Sequence, residues 1–356
     1  MDLRIKALKL GNFRSHTTTE LIFPEDKNTI LITGENGSGK TSILEAIHLC
    51  LRGLSFKTKK PEQIINTGVD FGKKVPFTRA QITVSDGIKR LFFYDERGKK
   101  FIIGANKEMK SLPLTQRYPT ILFDGDDLVL FQNQPAKRRA HLDNILTQIN
   151  HEYYIHLAQY DKARFQRNAL LKSGRTDIER ELLTWDEILI KHGQYLTIKR
   201  REIISEINQQ INQTYQKIAQ NHDQVQAKYQ TQIESNDETS WRQHLQSTRK
   251  EDILRGHTTF GVQKDDMIFY FNYHKTIEQA SRGEIRTIIL ALKFIEAQII
   301  EHHLGKKPII LLDDIFSELD ESRQSMILGN FDANQIFITA THPPKNMTSD
   351  FILPLA

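Results

Sequence analysis

Cysteine is nearly absent from this chain. Its single thiol, Cys50, leaves no partner for an intramolecular disulfide and no cysteine set for a zinc site. That usage fits a reducing compartment, so a cytoplasmic location is expected. Long apolar runs are also missing. The opening MDLRIKALKL alternates charged and apolar residues, and the most apolar later stretch, Ile285 to Ile300, is broken by Lys293, Glu296 and Gln298. Neither a signal peptide nor a membrane span is expected. Glycine and proline almost vanish between Pro135 and Leu254, which excludes a turn-rich β architecture there. Acidic residues are scarce relative to basic ones in the first third. Residues 1–120 carry 21 basic and 12 acidic side chains, against 18 and 19 in 121–254 and 10 and 13 in 255–356. The excess gathers in Lys57-Lys59-Lys60, Lys73-Lys74, Lys89-Arg90 and Arg97-Lys99-Lys100. Such a face suits an anionic polymer, or it is solvated surface near strand turns.

What is present is enough apolar mass, in 356 residues, for one composite domain or two smaller ones. The first segment reads as β-rich, with runs at Leu3 to Leu10, Leu21 to Phe23 and Thr29 to Thr33. The pattern repeats across residues 80–103, where Asp86-Gly87 is a hairpin signal, and again at Tyr118 to Phe123. From about Pro135 to Leu254 the pattern turns helical. Ile204, Ile207, Ile211, Tyr215 and Ile218 form one stripe at helical spacing. Strands return at Met267 to Phe271, Ile309 to Leu312 and Ile336 to Thr339. The expected class is α/β, with mixed sheets around one central helix and a helical insertion. The expected boundaries are 1–130 with 255–356 for the composite head, and 131–254 for the inserted arm.

The strongest motif is Gly34-Glu35-Asn36-Gly37-Ser38-Gly39-Lys40-Thr41, set between a strand and the helix that opens at Ser42. Glycines let backbone N–H groups face a phosphate, and the helix N-terminus adds partial positive charge. Lys40 is placed to reach the β- and γ-phosphates of ATP, and the Thr41 hydroxyl to ligate Mg²⁺. Far along the chain, the apolar run Ile309 to Leu312 ends in Asp313-Asp314. The end of a buried parallel strand is where such sheets hold ligands. Asp313 is the expected second Mg²⁺ partner and Asp314 the expected base or water-positioning group. Ser281-Arg282-Gly283-Glu284 opens a long helix and is similar to the signature of ABC-type ATPases, or is an ordinary capping box. Ser317-Glu318-Leu319-Asp320 resembles the D-loop of that superfamily.

Taken together, the chain resembles the RecF family of DNA replication and repair ATPases over almost its whole length. The resemblance rests on Leu10 to Ser15, GENGSGKTSILEAI, Gly53 to Lys57, Pro135 to Asp143, Gly261 to Asp266, ASRGEIRT and LLDDIFSELD. Two stretches depart from the family pattern, Asp124-Gly125-Asp126-Asp127-Leu128 and Gly261-Val262-Gln263-Lys264-Asp265-Asp266. SMC-type chromosome proteins and zinc-hook repair ATPases share the head. Here Lys40 and Ser281 lie only 241 residues apart and no Cys-x-x-Cys exists, so a short arm is implied.

The resemblance implies an ABC-type ATPase head that closes two ATP sites in a homodimer. Ser281 and Gly283 of one copy would then meet the γ-phosphate held by the other. It also implies double-stranded or gapped DNA as partner, with RecR, RecO and RecA. Asp314, one methylene shorter than the usual Glu, implies slow turnover. Arg14 resembles a position near the adenine or α-phosphate, or is a surface Arg before a turn. His342, after the strand Ile336 to Thr339, resembles a γ-phosphate sensor or is a loop residue. Lys137-Arg138-Arg139 reads as a DNA contact or as the partner of Asp124, Asp126 and Asp127. His302-His303 lacks companions for a metal. Competing readings are an ATP-bound scaffold without turnover, and an ABC-type ATPase of a defence system with a separate nuclease.

Overall fold

The computed structural model describes residues 3–70, 72, 75–233, 235–316, 319–331, 333–343 and 351–355. By contact density the chain divides into two compact units, residues 1–127 with 296–356, and residues 128–295.

The first unit opens with β1 (Ile5–Phe13), β2 (His16–Ile22) and β3 (Thr29–Thr33), and then α1 (Lys40–Arg52). Next come β4 (Thr78–Val84), β5 (Lys89–Asp95), β6 (Gly98–Ile103) and β7 (Thr120–Phe123). β2, β1, β4, β5 and β6 form an antiparallel sheet in that order. The expected hairpin forms at Asp86-Gly87, where Gly87 has φ 81° and the Asp86 carboxylate accepts from the Ile88 N–H at 2.9 Å.

The second unit carries α2 (Pro135–Ile149), α3 (His151–Leu171) and α4 (Glu179–Ala219), then β8 (Val225–Gln230), α5 (Glu238–Ser247) and α6 (Arg249–Arg255). β9 (Asp266–Phe271), β10 (His274–Lys275) and α7 (Thr276–Gln279) precede α8 (Arg282–Leu304), which runs into the first unit's share of the chain. The expected stripe from Ile204 to Ile218 is buried along α4. Residues 131–254 are not purely helical, because β8 lies within them and pairs with β9. That pairing ties the segment to residues beyond 255. By contact, 255–295 share a compact unit with the arm helices. β8 escaped notice because only Val225 and Ala227 are buried in a Gln- and Lys-bearing run.

The chain closes with β11 (Ile309–Asp313), α9 (Glu321–Asn330), β12 (Ile336–Ala340) and β13 (Phe351–Pro354). These complete a parallel sheet of order β13, β3, β12, β11, β7. β3, β12 and the β11 residues up to Leu312 are wholly buried, as parallel strands covered on both faces must be. The register sets Thr339 beside both Ile32 and Asp313. The carboxyl ends of β3, β12 and β11 therefore lie side by side, where an open α/β sheet presents its ligand site.

Candidate functional site

The loop from Gly34 to Gly39 leaves β3 and turns into α1. Gly39 has φ 95° and caps the helix, and a β-carbon there would lie 2.5 Å from both His16 Nε2 and Ser15 Oγ. Only glycine satisfies the backbone angle and the close approach together. The His16 ring in turn contacts the Gly39 carbonyl at 3.1 Å through Nε2, and the Thr19 hydroxyl at 3.0 Å through Nδ1. Lys40, buried at the helix start, donates from Nζ to the carbonyls of Gly34 at 2.7 Å and Glu35 at 2.8 Å. Its ammonium is thus held beneath the loop it would serve.

The two halves of the motif meet across 272 residues. The Thr41 hydroxyl donates to Asp313 Oδ1 at 2.7 Å, and the Thr339 hydroxyl reaches the same oxygen at 3.0 Å. Thr339 also accepts from the Asp314 N–H at 2.9 Å. Asp314 has φ 57°, a left-handed backbone uncommon for a residue with a side chain, and its carboxylate is exposed. These oxygens are of the kind a hard divalent cation takes, and a Mg²⁺ site uses one or two protein groups beside phosphate oxygens. No cluster of three His, Cys, Asp or Glu capable of holding a metal occurs among the described residues. A cleft of about 560 Å³ is lined by Asn36, Gly37, Lys40, Thr41, Asp314 and Thr339, together with Arg14, Lys57 and Asn66.

Arg14 occupies the two-residue turn between β1 and β2, with φ 53°. Its Nε and Nη2 make a bidentate pair with the Glu45 carboxylate at 2.8 and 2.7 Å, and Nη1 donates to the Gln63 carbonyl at 2.8 Å. Glu45 is fully buried on α1 and also accepts from Ser55 at 2.5 Å. A buried carboxylate thus orients the Arg at the cleft wall. Sequence reading missed Glu45, which looks like the polar side of a helix. It also missed Thr339, hidden inside an apolar strand.

Of the remaining expected residues, Ser42 lines this cleft as well. Ser281 to Glu284 belong to the second unit, where Ser281, Arg282 and Gly283 are exposed. Ser281 and Glu284 make the reciprocal capping box, with Ser281 N–H to Glu284 Oε2 at 2.6 Å and Glu284 N–H to Ser281 Oγ at 3.3 Å. Asp320 caps α9 by accepting from the Arg323 N–H at 2.9 Å, while Ser317 and Glu318 lie outside the described residues. His342 is exposed just past β12. Ser42, on α1, donates its N–H to the Gly39 carbonyl at 2.9 Å.

Two charge expectations change. Arg90 is buried, donating to the Cys50 carbonyl at 3.1 Å and to the Gln116 carbonyl at 2.5 Å, so it leaves the basic surface. Lys57, Lys59, Lys60, Lys89, Arg97 and Lys99 are exposed, and Lys73-Lys74 lie outside the described residues. Arg138 pairs with Asp266 at 2.7 Å and Arg139 donates to the Asp265 carbonyl at 2.8 Å. Within the chain, Asp265 and Asp266 take those two guanidinium groups in place of the acids at 124–127.

No helix among the described residues is long and apolar enough to cross a membrane. A phosphate loop and a strand-end acid pair on one parallel sheet define an ABC-type ATPase head. Smc head domains share this fold, one from Pyrococcus furiosus at TM-score 0.53 and 16% identity, covering 96% of this chain and 90% of that chain. A model described as AAA domain matches residues 7–330. DNA replication and repair protein RecF of Alkaliphilus oremlandii is 32% identical over 95% of this chain and 93% of its own length. The Clostridioides difficile protein of the same name is 30% identical over 95% and 91%. A solved recombination mediator protein, RecF-ATPrS in the RecFOR pathway, superposes at TM-score 0.85 and 27% identity, over 100% of this chain and 96% of that chain. A second, RecF-ATP, superposes at TM-score 0.83 and 26% identity, over 98% and 94%. The chain belongs to the RecF family.

Proposed function

We propose that this chain is an ATP-gated DNA-binding protein of recombinational repair and replication, with slow, DNA-dependent ATPase activity. The observation that carries the proposal is the 2.7 Å contact between Thr41 and Asp313, which unites a phosphate loop with a strand-end acid. The loop N–H groups from Gly34 to Ser42 cradle the phosphates, and Lys40 exchanges its carbonyl partners for β- and γ-phosphate oxygens. Thr41 and Asp313 are the residues to hold Mg²⁺, which when bound neutralises charge on the phosphates. Asp314 orients the attacking water. It reaches less far than a glutamate, which suits a switch better than a motor.

The exposed Ser281 and Gly283 have the role of closing over the γ-phosphate bound by a second copy, with Asp320 and His342 at the same junction. ATP then acts as the ligand that selects the dimer, and hydrolysis removes the contacts that hold it. Residues 1–130 with 255–356 form the head in this reading, and 131–254 the arm. The exposed lysines of the N-terminal third meet duplex or gapped DNA through phosphates, without reading sequence. Help to a RecA-type recombinase, with RecR and RecO, is the role that family membership supports.

Phosphate release with saturating duplex DNA tests the reading. Turnover should rise with DNA and fall about a hundredfold or more in Lys40→Met, the scale of losing one preorganised charge at a reacting group. Equal release by the two proteins would leave only an ATP-bound scaffold.

A further inference from the structure

Two histidines that no local spacing connects meet on neighbouring helices of the second unit. His156 on α3 and His192 on α4 bring their Nδ1 atoms to 3.2 Å, across 36 residues of chain. The ring centroids are 4.7 Å apart and the planes cross at 69°. Neither ring has another histidine one turn away, so sequence gives no sign of the pair. Both are partly buried rather than sealed in the core. Burial lowers the pKa of both imidazoles, and Glu152 opposes this only in part at His156. At His192 the neighbouring His156 and Lys191 lower it further. Both rings are therefore held in the neutral form, the one that ligates metals.

The surroundings hold these rings in place. The His156 ring stacks on Tyr195, with centroids 4.0 Å apart and planes at 23°. Tyr195 donates its hydroxyl to Glu152 at 3.1 Å and accepts from the Asn150 amide at 3.3 Å. Asn150 is itself the N-cap of α3. On the other helix, Gln194 and Asn236 exchange two hydrogen bonds at 3.0 Å, two residues beyond His192. Gly193 lets the Trp241 indole close against α4 at the same level. Glu152 stands one turn before His156 on α3, which sets a carboxylate beside the pair. Its charge offsets that of Lys191.

We propose that His156 and His192 form a two-ligand site for a divalent transition-metal ion such as Zn²⁺ or Ni²⁺, which staples α3 to α4. Two imidazole nitrogens at a Zn–N distance of about 2.0–2.1 Å and a tetrahedral angle lie roughly 3.3–3.4 Å apart. The 3.2 Å seen here matches that bite without moving either helix. A proton shared between the rings fits the same separation. Access from solvent, the carboxylate alongside and two lone pairs fixed from separate helices favour the metal. Water completes the coordination. Imidazole suits zinc and nickel, whereas Mg²⁺ takes oxygen ligands, so this site does not compete with Thr41 and Asp313. It is independent of the nucleotide reading.

The test is calorimetric titration of the nucleotide-free, full-length protein with ZnCl₂ and, separately, NiCl₂, with Mg²⁺ in excess throughout. Wild type should bind one ion per chain. Its melting temperature should rise by about 3–6 °C for each tenfold increase in free metal beyond half-saturation. His156→Gln and His192→Gln should each lose the saturable heat and that rise, while their metal-free melts stay near wild type. Glu152→Gln, which keeps both ligands, should weaken binding by about 10–100-fold, the scale of losing a supporting group. Acidification should release the ion as the rings take up protons. The double variant His302→Gln/His303→Gln removes exposed histidines elsewhere and should bind as wild type. No saturable binding by wild type would leave a proton-bridged pair and overturn the proposal. Wild-type affinity in both His156→Gln and His192→Gln, or its loss in the double variant, would place the metal elsewhere and overturn it equally.

Discussion

At the scale of single residues, Gly39 carries the most constraint. A left-handed φ of 95° and a gap of 2.5 Å to two neighbouring side chains leave no room for a methyl group. Gly39→Ala should cost about 1–3 kcal/mol in backbone strain, and more as His16 and Ser15 shift. Nucleotide binding, followed with a fluorescent ATP analogue, should weaken more than the thermal melt moves, because the loop changes shape before the core does. A variant that binds as wild type would show that the loop tolerates another conformation. Arg14 and Asp314 are different in kind. Both hold left-handed angles without being glycine, and both line the same cleft. Strain of that sort persists where surrounding contacts fix it, here the Glu45 pair for Arg14 and the Thr339 hydroxyl for the Asp314 amide.

At the scale of elements, the arm helices are joined by a buried ionic knot. Arg167 on α3 is fully buried and donates to Asp186 on α4 at 2.7 Å, to Asp252 on α6 at 2.7 Å and to Thr258 at 2.9 Å. Removing the guanidinium leaves the buried Asp252 with only the Thr259 donors, and Asp186 with Arg249 alone. Arg167→Ala should therefore cost about 3–5 kcal/mol, read as a lower unfolding transition with earlier proteolysis in 128–295. Arg249, on the Asp186 side of the knot, is the natural second variant. A loss under 1 kcal/mol would mean that solvent reaches the pair. Gly193 explains another detail of α4, since a β-carbon there would lie 2.2 Å from the indole of Trp241 on α5. Much of this scale is legible in sequence. β3, β11 and β12 are continuous apolar runs, and the α4 stripe has helical spacing. β13 is short and ends in Pro354, and the β8 edge is satisfied by side chains. Asn208 exchanges two hydrogen bonds with Ala227, at 2.7 and 2.8 Å, standing in for a missing strand. Such pairings join positions that no local pattern connects, as Arg14 and Glu45 do 31 residues apart. Thr41 and Asp313 were readable because each ends or begins an element with a strong signal of its own.

At the scale of the whole molecule, one chain holds one phosphate loop and one Ser-Arg-Gly-Glu segment. The second copy is the source of the missing half in the proposed mechanism. The uneven charge, +9 over residues 1–120, predicts that the proposed duplex binding weakens steeply as salt rises. Blocking hydrolysis while leaving the phosphate loop intact isolates the central claim. Light scattering of Asp314→Asn with ATP, with and without duplex DNA, should give a stable particle of twice the chain's 41.4 kDa, which wild type forms only transiently. Monomer under every condition, with ATP shown to be bound, would contradict the shared site.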